Sequence, residues 1–177
     1  NDFMYPDRLV LGANNKKTFS LLKDVYSSFN FDNIFTTNIK TAEMIKYASN
    51  AFFANLISFS NEIANLSSTL ENVDSKDVIY GLKLDNRFYT KIKNNLIYPN
   101  LISYIDPGPG FGGSCFPKDL KAIVKFGKTK GKKMHLLNSV LEVNENQHKE
   151  IIKTLKNRFN NLKKIKISIL GLSFKPD

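Results

Sequence analysis

The stretch NIKTAEMIKYASNAFFANLISFSNEIANLSSTL, from Asn38 to Leu70, most constrains the fold of this chain. Apolar residues fall at Ile45, Ala48, Phe52, Leu56, Phe59, Ile63 and Leu66, in steps of three and four. Those steps predict one helix of nearly 30 residues, about 45 Å long at 1.5 Å per residue. Asn38 or Thr41 is placed to cap it, with Glu43 in the first turn. Phe53, Ile57 and Ala64 widen the apolar surface to a second side, which predicts a bundle core or a dimer seam.

Around this rod the expected fold is mainly α: a helical central dimerisation domain flanked by partial α/β pieces of Rossmann type. Residues 1–38 read as the end of an α/β unit. DRLVLGA is a strand ending at Gly12, KKTFSLLKDVYSSF is a helix, and NIFTT is a second strand. Residues 39–160 form the helical middle. Within it, SKDVIYGLKLD is a short helix ending near Gly81, and PKDLKAIVKFG a helix closed by Gly127. MHLLNSVLEVNENQHKEIIKTLKNRF is a second long helix, and residues 86–105 an extended loop with short helical pieces. Residues 161–177 open a third region, in which IKISILG has the pattern of a buried strand. The expectation is a piece of a longer protein, holding the end of one domain, a whole helical middle and the start of another.

Composition narrows the function. Hydrophobic residues make up 42% of the 177, enough for a packed core. No apolar run reaches the ~18–20 residues of a membrane span, and NDFMYPDR has no signal-peptide character. The single cysteine excludes an internal disulfide and a multi-cysteine zinc site, and it fits a reducing cytoplasm. His135 and His148 lie in Lys-rich context without ligand spacing, so no metal is expected. The net charge of +10 is either a solvated lysine surface or an attraction to anions. Only three residues are arginine, few for a reader of base edges, so no nucleic-acid partner is expected.

The chemistry concentrates in GPGFGGSCFPKDL, Gly108 to Leu120. Gly108, Gly110 and Gly113 formally match a dinucleotide fingerprint, but a helix leads on to another helix, and Lys132 and Lys133 stand where the ribose-binding acid belongs. The G-K-T at Gly127–Thr129 has Ala122 where a P-loop needs its first glycine, so a P-loop fails too. Cys115 remains either a small core residue or a nucleophile. Pro117 suits the first turn of the following helix, which puts Cys115 at or just outside its N-terminus, where N–H groups and the helix dipole favour a thiolate. Lys118 adds positive charge, and Asp119, about one turn on, is placed to orient a water or take a proton. The glycines allow backbone to approach a substrate closely. On the long helix, Lys46 and Asn50 share a face at i, i+4. They are either a solvated lysine beside a surface amide or a cation and an amide aimed at a developing oxyanion.

These segments resemble the UDP-glucose/GDP-mannose dehydrogenases. GPGFGGSCFPKDL is similar to that family's cysteine signature, and TAEMIKYASNAFFANLISFSNEIANL to its central helix. YPDRLVLGA resembles the end of its cofactor domain and ILGLSFKPD the opening of its C-terminal nucleotide-binding domain, in the family's order. The form of the cysteine segment favours the UDP-glucose branch, with GDP-mannose or another nucleotide sugar as the alternative. The resemblance implies an oxidoreductase that uses two NAD+ to take the C6 alcohol of UDP-glucose to the carboxylate of UDP-glucuronate, in the cytoplasm, as a homodimer through the long helix. The alternative of another class is a helical dimerisation module without activity of its own.

Roles follow from the resemblance residue by residue. Cys115 would form a thiohemiacetal and then a thioester. Lys46 and Asn50 would stabilise charge on oxygen or hold a water, and Asp119 would help activate the water or hold the lysine. Lys118 would face the cofactor. Tyr104, Ile105, Asp106, Pro107, Gly108 and Gly112 would line the nucleotide sugar, and Phe174 and Lys175 would reach it from the next domain. Two departures stand out. The family's cofactor fingerprint is not in this sequence, so the piece as given is expected to be inactive by itself. The arginine expected 16 residues before the cysteine is replaced by Pro99, while KLDNRF, further upstream, makes Arg87 the candidate for that role. The loop between is longer by roughly a dozen residues, unusual for a structureless connection.

Overall fold

The computed structural model of the chain describes residues 7–27, 33–159 and 161–170. It divides into two compact units, Asn1–Ser49 and Asn50–Asp177, and the long helix runs through the division.

In the first unit, strand β1 (Leu9–Gly12) pairs in parallel with β2 (Ile34–Thr37), from Leu9 opposite Ile34 to Gly12 opposite Thr37. Helix α1 (Lys16–Val25) lies between them in sequence, as parallel pairing requires a crossover. Asn15 caps it, its side-chain oxygen accepting from the Thr18 N–H at 2.8 Å. Leu11 of β1 and Ala13 just after it are buried.

Helix α2 (Ile39–Ser67) has 29 residues, matching the predicted rod. Of the two candidate caps Asn38 is the one used, accepting from the Thr41 N–H at 2.9 Å, so Glu43 falls in the second turn rather than the first. Of the two predicted apolar sides, the one that holds Ile57 meets the core. Ala51, Ala54, Ser58 and Asn61 turn inward, whereas Phe52, Phe59 and Leu66 stand 52%, 45% and 59% exposed. Small inward residues let neighbouring helices approach closely. Ser58 shows this, its hydroxyl donating to the Val140 carbonyl of the helix beside it at 3.1 Å.

In the second unit the core joins Ala51 and Ala54 to Phe111, Leu120 and Val140, flanked by Ile57, Phe116, Leu137 and Leu141. Helix α3 (Ser75–Lys83) is capped by Asp74 and passes through Gly81 instead of ending there. Residues 86–105 are more ordered than a loop. A short 3₁₀ turn, Asn86–Phe88, leads into a hairpin of β3 (Thr90–Ile92) and β4 (Asn95–Ile97), closed by a contact of Tyr89 with Tyr98 at 5.6 Å between ring centres. A 3₁₀ segment, Asn100–Ile105, follows.

Helix α4 (Phe116–Thr129) runs through Gly127 as well. Gly127 is buried against the Met134 side chain, and the helix is closed by Gly131 at φ +70°. The Lys132 N–H bonds the Gly127 carbonyl at 2.9 Å and the Gly131 N–H bonds that of Lys128 at 3.1 Å, the paired bonds of a left-handed C-terminal cap. Helix α5 (His135–Arg158) is the second predicted long helix. Residues 165–170 form no strand, and Ile167, Ile169 and Leu170 are exposed. A strand exists only with a partner's ladder of hydrogen bonds, and among the described residues none pairs with this segment.

Candidate active site

Helix α4 begins where the glycine segment ends. Cys115 is its N-cap residue, with φ −91° and ψ −62°, and it is exposed. It is therefore not a small core residue. The Asp119 N–H bonds the Cys115 carbonyl at 2.9 Å, the first bond of the helix, with Pro117 inside the opening turn, where a missing N–H costs nothing. The Ser114 hydroxyl lies 3.7 Å from the Cys115 sulfur.

Asp119 faces inward and is 1% exposed. Asn50, reaching from α2, donates from Nδ2 to Asp119 Oδ2 at 2.6 Å. The Lys118 ammonium, itself largely exposed, lies 3.1 Å from Oδ1. A buried carboxylate demands such donors, and here they fasten α2 to the start of α4, one turn behind the cysteine. Asn50 and Asp119, 69 residues apart in sequence, are thus brought together as partners. Lys46 lies one turn before Asn50 on α2, within the first compact unit, with its ammonium 5.3 Å from the centre of the Tyr47 ring.

The approach to the cysteine is held from behind by amide side chains. Asn61 of α2 accepts from the Gly108 N–H at 2.7 Å, and Gln147 of α5 donates to the Gly108 carbonyl at 2.9 Å. Asn144 of α5 takes both polar groups of Phe111, accepting from its N–H at 2.7 Å and donating to its carbonyl at 3.0 Å. The Ser60 hydroxyl donates to the Ile105 carbonyl. None of these four side chains was singled out from the sequence. The sequence offers only a weak signal for them, amide and hydroxyl side chains along long helices, and that does not name the segment they hold.

The other predicted residues are placed as follows. Tyr104 stacks on Phe53 with 4.5 Å between ring centres and approaches Phe116, which meets Phe111 edge to face. The Ile105 side chain is buried, and Asp106 is paired with Lys83. Pro107 and Gly112 are half-buried and Gly108 is exposed. Arg87 sits 28 residues before Cys115 at the foot of the hairpin. Its guanidinium is bound by Asp85 at 2.6 and 2.9 Å, and this partner holds the Asp85 carboxyl down at about 2. Phe174 and Lys175 lie outside the described residues. Among the described residues no helix is long and apolar enough to cross a membrane.

The central-domain model of the UDP-glucose/GDP-mannose dehydrogenase family matches residues 40–146, a span that holds Asn50, Cys115 and Asp119. The chain belongs to this family. The UDP-glucose 6-dehydrogenase YwqF of Bacillus subtilis is 38% identical over 176 residues, which are 99% of this chain and 37% of that protein. The UDP-glucose 6-dehydrogenase AglM of Haloferax volcanii is 34% identical, over 99% of this chain and 39% of its own length. Among solved structures, a UDP-glucose dehydrogenase from the hyperthermophilic archaeon Pyrobaculum islandicum superposes with a TM-score of 0.74 at 38% identity, covering 89% of this chain and 33% of that one. The chain therefore spans little more than a third of these family members.

Proposed function

We propose that this chain is the central part of an NAD-dependent UDP-glucose 6-dehydrogenase, a cytoplasmic enzyme that supplies UDP-glucuronate for polysaccharide synthesis. The observation that carries it is the exposed Cys115 at the N-terminus of α4, with buried Asp119 bonded to Asn50 one turn behind it. A nucleophile, a group able to move a proton and an amide donor are what two-stage oxidation of an alcohol through a thioester requires.

The C6 alcohol first loses a hydride and a proton to become an aldehyde. The Cys115 thiolate adds to the aldehyde carbon, forming a C–S bond and leaving negative charge on oxygen. Lys46 and Asn50 stabilise that oxygen. Loss of a second hydride restores C=O as a thioester. Water then attacks, Asp119 accepts one proton from it, and the C–S bond breaks to regenerate the thiolate and release the carboxylic acid, which gives its remaining proton to solvent as the carboxylate. NAD, when bound, supplies the acceptor for each hydride. The parallel β1–β2 pair with α1 fits one edge of a dinucleotide-binding sheet, and exposed Lys118 is the residue offered to the cofactor. Residues 1–38 are assigned to the end of that domain, 39–160 to the central domain and 161–177 to the start of the sugar-nucleotide domain. Tyr104 to Gly108 and Gly112 line the nucleotide sugar, with Phe174 and Lys175 completing it and Arg87 at its edge.

The test is the full-length protein with UDP-glucose or GDP-mannose and NAD+. Two NADH per UDP-glucose, with little from GDP-mannose, is expected; the reverse preference reassigns the substrate. Cys115→Ser is expected to abolish the four-electron reaction, and an unchanged rate in that variant would overturn the cysteine assignment.

A homodimer through α2 accompanies this proposal. Phe52, Phe59 and Leu66 recur every seven residues on one face and are half exposed in the single chain.

A further inference from the structure

We infer that Asn144, Gln147 and Asn61 form an amide clamp that sets the position of the glycine segment, and that they are positioning residues for nucleotide-sugar binding rather than packing residues. The inference rests on the dehydrogenase assignment for the identity of the ligand and on the hydrogen bonds alone for the clamp.

The backbone of residues 108–111 belongs to no helix or strand, so its polar groups have no ladder to satisfy them. Three side chains from two helices do so instead. Both polar groups of Gly108 are engaged, the N–H by Asn61 and the carbonyl by Gln147. Both polar groups of Phe111 are engaged by Asn144 alone. A primary amide bonded to both the N–H and the C=O of one residue fixes rotation as well as distance. The clamp is braced in turn, since Asn65 on α2 donates to the Gln147 oxygen at 2.9 Å and leaves the Gln147 NH2 group directed to Gly108.

Two features separate positioning from packing. Asn61 is fully buried, and among the described residues its Nδ2 group meets no acceptor. An apolar residue would fill that place on α2 without a buried donor; what the amide adds is the bond its oxygen makes to Gly108. Gly110 lies at φ +97°, and a Cβ there would sit 2.5 Å from Asn144 Oδ1. The segment is therefore pressed directly onto the clamp. Phe111 is buried in the core, so a shift of the Phe111 peptide moves the chain that leads to the nucleophile.

The experiment uses the full-length protein and two readouts. Amide hydrogen exchange reports the clamp. Asn144→Ala is expected to speed exchange of the Phe111 N–H at least tenfold while leaving the Leu120 and Val140 amides of the core unchanged. Asn61→Ala is expected to do the same at Gly108. Steady-state kinetics report the role: Asn144→Ala is expected to raise KM for UDP-glucose at least tenfold with KM for NAD+ within twofold. Asn144→Asp, which keeps the acceptor for the Phe111 N–H, is expected to restore slow exchange there. If Asn61→Ala fails to fold, the Asn144 variants decide the matter alone. Unchanged exchange at Phe111 overturns the clamp. Faster exchange with both KM values unmoved overturns the positioning role. Failure of the wild-type protein to reduce NAD+ with any nucleotide sugar instead sinks the dehydrogenase assignment, and the exchange result still judges the clamp.

Discussion

At the scale of single residues, the site depends on Asp119 being buried and bonded at the same time. Asp119→Asn keeps the volume and can still offer an oxygen to Asn50, so its melting temperature is expected to stay within a few degrees of wild type. Four-electron turnover in the full-length protein is expected to fall by roughly 10²-fold or more, the usual cost of losing a proton-transfer group; NADH formation measured beside a thermal melt separates the two effects. Asp85 and Arg87 give a pH prediction with a definite sign. The Asp85 carboxyl is lowered from 3.8 to about 2, chiefly by the side-chain hydrogen bond from Arg87. A lowered carboxylate contributes stability that is present above its unfolded value and is lost as pH falls through the folded one. The pair is therefore intact above about pH 4 and fails toward pH 2, leaving neutral-pH behaviour untouched. Arg87→Ala is expected to return the Asp85 midpoint, followed by carboxyl carbon NMR, to near 3.8. Cys115, Asn50 and Asp119 were legible in the sequence because each is a chemically loaded residue in a place where bland ones are common. Asn144 and Gln147 were not, because nothing in a single helix shows that a loop 33 to 39 residues away will depend on its amides.

At the scale of elements, long periodic segments were legible, and the stops of the glycine-containing helices were not. The predicted rod and second long helix both formed, since a sustained 3.6-residue period has no other low-energy solution. Gly127 was expected as a stop and lies inside its helix instead, and the helix expected to end near Gly81 runs on two residues to Lys83. Glycine weakens a helix interior by only about 1 kcal/mol, and packing overrides that. Gly127 shows how, because the absence of a side chain there admits Met134. The real stop, Gly131, is distinguished by its left-handed φ of +70°, which no composition rule separates from Gly127 four residues earlier. A Cβ at Gly131 would meet nothing within 4 Å, so Gly131→Ala tests backbone conformation alone. It is expected to destabilise by about 1–2 kcal/mol, read as a lower urea midpoint at constant slope. The hairpin at 90–97 was hidden for a related reason. Its two-residue loop places Lys93 at φ +53°, where glycine is the customary signal, and strands of three residues carry too little alternation to be recognised.

At the scale of the whole molecule, the question is why α2 carries large apolar residues on a face that its own chain does not cover. The inward face uses Ala51, Ala54, Ser58 and Asn61, with Ile57 of the predicted second side packed beside the core, and leaves Phe52, Phe59 and Leu66 exposed on the other. Periodicity finds an apolar stripe but not which neighbour covers it, and small residues that admit a close helix leave a weaker trace than phenylalanine. If two copies of α2 meet across a two-fold axis, each substitution on the seam counts twice. Burying a phenylalanine is worth about 1.5–3 kcal/mol, so Phe59→Asp removes about twice that before the desolvation of two carboxylates is added. At about 1.4 kcal/mol per tenfold, the dimer dissociation constant is expected to rise at least a hundredfold. Sedimentation velocity at micromolar concentration is expected to show a dimer for the full-length wild type and a monomer for Phe59→Asp. A wild type already monomeric there, or a Phe59→Asp protein still dimeric, would remove α2 as the seam and leave the three exposed side chains without a partner of their own kind.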